Sequence, residues 1–140
     1  MSCVRSGVVL AVLGAAFLFA SCRPSPESAT PKVVTASRPV GSWQGTGTKS
    51  VGDINSDTGR FRIVWETRHE QPVGDGTFKL TIRSAVSGRP LQVVVDHRGE
   101  GKGEADFADT GRIYDFLVES RSVEWSFSVT EIYEAYEKKR

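Results

Sequence analysis

The 140-residue chain has little of what stapled, nucleic-acid-binding or catalytic domains are built from. It holds two cysteines, Cys3 and Cys22, both near the start, so no disulfide framework can brace the rest. Charge of neither sign prevails: 18 Lys plus Arg stand against 17 Asp plus Glu. A nucleic-acid surface shows as a basic excess, so no nucleic-acid partner is expected. The longest apolar run, Val8 to Ala20, falls short of the roughly 20 residues that a bilayer span needs. The two histidines sit in the pairs His69-Glu70 and Asp96-His97. Neighbours on a strand point to opposite faces, so neither pair is a ready-made dyad. No Gly-x-Ser-x-Gly elbow occurs. In Gly45-Thr-Gly-Thr-Lys49-Ser50, Thr48 stands where a phosphate-cradling loop needs glycine. No catalytic residue is assigned.

What is present begins with an address. One positive charge, Arg5, precedes the apolar run, and small residues follow it at Ala20-Ser21. That is the build of a secretory signal peptide over residues 1–21. Phe17-Leu-Phe-Ala-Ser-Cys22 resembles the lipobox of bacterial lipoproteins, with Phe19 where leucine is usual. The resemblance implies that Cys22 becomes the first mature residue and carries the lipid. It also implies a membrane partner through that anchor and a place in the bacterial cell envelope. Arg23 is not the aspartate of inner-membrane retention, which favours the outer membrane where two membranes exist. Lipidation would also account for a thiol left alone once Cys3 is removed. Arg5 is the one charged residue among 1–21, so their removal leaves cationic and acidic residues in balance. No cofactor is expected beyond the calcium considered below.

Residues 22–40 carry Pro24, Pro26, Pro31 and Pro39 among Ser, Thr and Ala. Such a stretch buries too little apolar surface to offset its ordering entropy and reads as a disordered tether. From Gly41 the pattern becomes alternation: Phe61, Ile63 and Trp65; Phe78, Leu80 and Ile82; Val123, Trp125, Phe127 and Val129, each set opposite polar neighbours. Period two marks half-buried strands. Leu91–Val95 and Ile113–Val118 are more continuously apolar, as in strands that lie centrally or are shielded on both sides. Gly- and Asp-rich turns separate these segments. The expectation is all-β: one antiparallel β-sandwich of six to seven strands over residues 41–133, with a charged tail at 134–140. In that tail Glu134 and Lys138 are spaced to pair on a short helical turn.

Gly111-Arg-Ile-Tyr-Asp-Phe and Val123-Glu-Trp-Ser-Phe-Ser-Val129 resemble the closing strands of CUB-like and pre-peptidase C-terminal domains. The resemblance implies a non-catalytic adhesion, targeting or interaction module, and carries no functional residue over to this chain.

Two local features are candidate sites. Asp53, Asn55 and Asp57 alternate ahead of Gly59, and oxygen side chains on a tight loop suit calcium. Thr58 and Val64 stand where an EF-hand needs glycine and an acidic residue, so an Asx-rich turn is the simpler reading. Trp43 stands among Gly, Ser and Gln without an apolar stripe, a candidate surface aromatic for binding. The reading is an anchored envelope module that binds a protein or glycan partner. Alternatives are a periplasmic hydrolase or metal-dependent enzyme using His69, His97 and Asp96, and an inhibitor displaying a loop to another protein. Cys22→Ala is expected to move the protein from the membrane pellet to the soluble fraction of lysed cells. An unchanged pellet overturns the anchor.

Overall fold

The computed structural model describes residues 31–137. Its chain forms eight strands: β1 (Val33–Thr46), β2 (Lys49–Ser56), β3 (Arg60–Arg68), β4 (Thr77–Ser84), β5 (Pro90–Arg98), β6 (Gly101–Ala108), β7 (Arg112–Arg121) and β8 (Glu124–Tyr136). They make two antiparallel four-stranded sheets, ordered β1-β8-β3-β6 and β2-β7-β4-β5. First pairs with last, second with seventh, third with sixth, and β4 with β5 in a hairpin. That winding is the jelly roll, a doubled ribbon wrapped into a sandwich.

The alternation read from sequence builds the core. Phe61, Ile63, Trp65, Trp125, Phe127 and Val129 face inward from one sheet, and Phe78, Leu80, Ile82, Tyr114, Phe116 and Val118 from the other, all buried. Phe61 sits at the centre of an aromatic cluster, with the rings of Tyr114 at 5.3 Å and Phe116 at 5.8 Å, both edge-on. Such pairs add roughly 0.5–1.5 kcal/mol beyond area burial.

Several boundaries differ from expectation. There are eight strands rather than six or seven, and ordered sheet begins at Val33 rather than residue 41. Pro39 stands on β1, an edge strand, at a register shift. A proline without an N–H is tolerated there, and together with a bulge it blunts an edge against unwanted pairing. β2 was hidden by Gly52, Asp53 and Asn55, which belong to a bulged strand and not to a loop. The turn itself is confined to Asp57-Thr58-Gly59. Residues 134–136 extend β8 instead of starting a helical turn, because Val33–Thr35 supply their ladder partners. β5 is an edge strand, not a central one, and a register shift between Leu80 and Thr81 lets Val94 as well as Val95 pack on the core. β7 is central, yet it alternates: Ile113 is 42% exposed while Tyr114 is fully buried.

One end of the sandwich gathers the start of β1, the end of β8 and the β2–β3, β4–β5 and β6–β7 turns. The other gathers the β1–β2, β3–β4, β5–β6 and β7–β8 connections, pinned by Gly99 N to Gly76 O at 2.9 Å and Gln71 N to Ser122 O at 3.0 Å. At the first end the Tyr114 hydroxyl donates to the carbonyl of Thr110, a tyrosine corner that locks the β6–β7 turn. Gly59 (φ 67°) packs against that carbonyl so closely that an added Cβ would lie 2.2 Å from it. Tyr114→Phe is expected to lower stability by about 1–2 kcal/mol without changing the denaturant slope. Urea unfolding measures both quantities.

Candidate functional site

Glu131 is the one residue on β8 that breaks the inner-face pattern. It lies in phase with Trp125, Phe127 and Val129, and is 1% exposed. A buried carboxylate is costly unless every oxygen is satisfied. Here Oε1 accepts from the Ser56 hydroxyl (2.5 Å), the amides of Asp57 (2.9 Å) and Thr58 (3.0 Å), and the Thr58 hydroxyl (3.1 Å). Oε2 accepts from Arg38 Nε at 2.7 Å and Nη2 at 2.6 Å. Arg38 also reaches Asp57 at 2.6 Å and lies 5.7 Å over the Tyr133 ring. One carboxylate thus ties β8 to β1 and to the β2–β3 turn. Burial pushes its pKa up, but the Ser56 hydroxyl, the Thr58 amide and Arg38 outweigh that and hold it at about 2.

The outer face of the same strand has another character. Ser126 and Ser128 project away from the core, Ser126 between the longer Gln44 and Glu66 and Ser128 between Ser42 and Val64. Registry sets three rows: Ser42, Ser128 and Val64; Gln44, Ser126 and Glu66; Thr46, Glu124 and Arg68. Lys102 stands opposite Glu66 on β6. Short side chains down the middle leave a trough of adjoining hollows along β8. One of about 520 Å³ lies over Ser42, Val64 and Ser128, one of about 320 Å³ over Gln44, Arg68 and Ser126, and one of about 380 Å³ over Thr46, His69 and Ser122. From Ser128 to Glu124 the trough runs about 13 Å along the strand before reaching the loop end. There His69, at φ 54°, holds Glu124 with Nδ1 at 2.6 Å. The trough offers hydroxyls, an amide and charges of both signs. It offers little backbone, whose donors and acceptors are spent on the ladder.

The other sequence candidates fall elsewhere. Cys22 lies outside the described residues. Asp53 and Asn55 are exposed on β2, while Asp57 sits in the turn with its carboxylate on Arg38. The calcium candidates therefore string along a strand instead of wrapping one loop. Among the described residues, no three His, Cys, Asp or Glu side chains converge to hold a metal ion. Trp43, the candidate binding aromatic, is half-buried: its ring packs 5.3 Å from Phe127 and 6.4 Å from Phe116. It seals the open side of the sandwich, and only its flank borders the trough. His97 stacks on Trp65 at 4.8 Å, with Nε2 3.3 Å from the Glu100 carbonyl. Asp96 points outward from the next position on β5, opposite Lys79. The two histidines have separate partners. Glu131 and the trough were missed in the sequence, although an acidic residue in the apolar phase of Trp125, Phe127 and Val129 is a visible signal of a buried polar contact.

The lowered pKa of Glu131 fixes a sign. A carboxylate depressed in the folded state adds stability that is complete above its unfolded value and is lost as pH falls through the folded one. Glu131→Gln is expected to cost about 2–4 kcal/mol at pH 7. The gap between wild type and variant should shrink from about pH 5 down to pH 2. Denaturant melts across that range check it, and a gap independent of pH contradicts the assignment.

No protein-family model matches this chain, and no curated protein matches it.

Proposed function

We propose that this chain is a lipid-anchored protein of the bacterial cell envelope whose jelly roll is a non-catalytic binding module. The ligand we assign to the trough along β8 is a glycan of the envelope. The trough carries this reading. It is open, extended and lined by Ser42, Gln44, Glu66, Arg68, Lys102, Glu124, Ser126 and Ser128. A peptide laid on a sheet face would leave its own amides facing side chains alone, because the strands beneath have no free ladder positions. A sugar chain presents hydroxyls at every unit, which serine, amide and charged side chains satisfy singly. Charges of both signs also suit a glycan bearing carboxylates and amines. The anchor supports the same reading by keeping the module beside fixed envelope polymers.

A catalytic alternative draws on His69, oriented by Glu124 at the mouth of the same trough. His97 and Asp96 lie on other surfaces and give it no support.

Purified peptidoglycan sacculi serve as the probe. The full chain is expected to cosediment with them, and Ser128→Tyr, which fills the trough from an exterior position, is expected to weaken binding at least tenfold with unchanged thermal stability. Undiminished binding by Ser128→Tyr, or no binding by wild type, overturns the glycan assignment. Release of soluble fragments that His69→Ala abolishes would favour the enzyme.

A further inference from the structure

The apolar side chains left in solvent are unevenly distributed. Among the described residues, seven large ones are markedly exposed: Val33, Val64, Val73, Val86, Val93, Ile113 and Tyr136. Four of these seven, Val33, Val86, Ile113 and Tyr136, belong to the end where β1 starts and β8 stops. Val86 is the tip of the β4–β5 turn and is 88% exposed; its neighbour Ala85 bonds to the carbonyl of Ile113 at 3.0 Å. Val33 and Tyr136 face each other across the β1–β8 ribbon, which runs on past the start of β3. Among the described residues, a valine held out at a turn tip and a tyrosine at a ribbon end have no neighbours to bury them.

Cations share that end. Lys32, Arg60 and Arg89 are exposed and make no ion pair among the described residues. They outnumber Glu134 and Glu137, the exposed carboxylates of the β1–β8 ribbon. Apolar side chains set among cations, with a tyrosine at the boundary, match the interface of an anionic bilayer. The chain also arrives there from Cys22. Ten residues separate it from Val33, a span of at most about 40 Å, so an anchored Cys22 keeps this end near the lipid.

From this juxtaposition we infer that the sandwich docks end-on against an anionic lipid surface through Val33, Val86, Ile113 and Tyr136. The inference rests on the reading of Cys22 as the lipid-bearing residue. Docking in this pose stands the strands up from the membrane. The His69 loop then lies at the far end of the sandwich, since β1 alone rises about 46 Å over its fourteen residues, and the trough opens sideways from the upright sheet.

The test uses the full chain matured in cells, with one cysteine added at Val86 or, as the control at the opposite end, at Val73, which is 90% exposed. Both sites are exterior, so neither change touches the core. Each protein is labelled with a thiol-directed environment-sensitive dye and placed on vesicles of phosphatidylglycerol and phosphatidylethanolamine. The Val86→Cys label is expected to shift to the blue and to be quenched at least threefold by spin-labelled lipid, more weakly on phosphatidylcholine vesicles, while the Val73→Cys label stays as in water. Equal signals at the two ends, or quenching at Val73→Cys alone, overturn the docking pose. The parent chain reports separately on the anchor. A parent that takes up no dye has its Cys22 thiol blocked, as the anchor requires. A parent that labels has a free Cys22, and that result overturns both the anchor and the pose built on it.

Discussion

The carboxylate of Glu131 is the constraint to which the rest of the structure answers. Six hydrogen-bonding contacts converge on two oxygens in a place that water does not reach. Satisfying them requires β1 to be in register beside β8, and requires the chain between β2 and β3 to turn at Asp57-Thr58-Gly59. That turn is the hand-over between the two sheets. Ser56 donates to the carboxylate and accepts from Gly59, so its hydroxyl serves both the clamp and the turn. The arrangement spends a charge inside the protein, which stability alone would not favour over a well-packed apolar residue. Its return is specificity: a slipped β1 would take Arg38 away and leave Oε2 of a buried anion without a partner.

With β8 fixed in this way, its two faces divide the work. One face supplies Trp125, Phe127 and Val129 to the core, and the other supplies the serine floor of the trough. Neither face can be altered by moving the strand without spoiling the other, because a one-residue slip exchanges them. The two ends of the sandwich are also unlike. One carries the chain's arrival, the clamp and four of the exposed apolar side chains. The other carries His69, His97 and the glycine-rich connections. Under the proposed function, the end that receives the chain would hold the module in place and the trough would hold its ligand.

Much of the fold was legible in the sequence, and for a physical reason. β3, β4 and β8 are half-buried strands, and half-burial writes itself as period two in Phe61-Ile63-Trp65, Phe78-Leu80-Ile82 and Trp125-Phe127-Val129. β1 and β2 were not legible because their conformation is decided elsewhere. Val33–Pro39 looks like linker until β8 offers its ladder, and Gly52-Asp53 looks like a turn until β7 lies beside it. The jelly-roll order was invisible for the same reason, since strand neighbours are settled by contacts between distant residues. The trough is a further step removed. Ser126 and Ser128 are plain polar positions in the sequence and become a floor only once Gln44 and Glu66 are aligned on either side. The packing of Trp43 was not legible because its apolar neighbours, Phe116 and Phe127, come from other strands.

The pairing of first strand with last has a consequence in time. Val33 meets Tyr136, so the closing contact joins residues a hundred positions apart and carries the largest loop-closure cost in the molecule. The β4–β5 hairpin carries the smallest. Closure therefore favours zipping outward from the middle of the chain, through β3–β6 and β2–β7, to β1–β8 at the end. Until β8 has emerged, β1 has no sheet to join and Glu131 has no nest. A chain with that order of events stays open at its edge until its last strand is available, so the two ends of the sequence are the last parts of the sandwich to be settled.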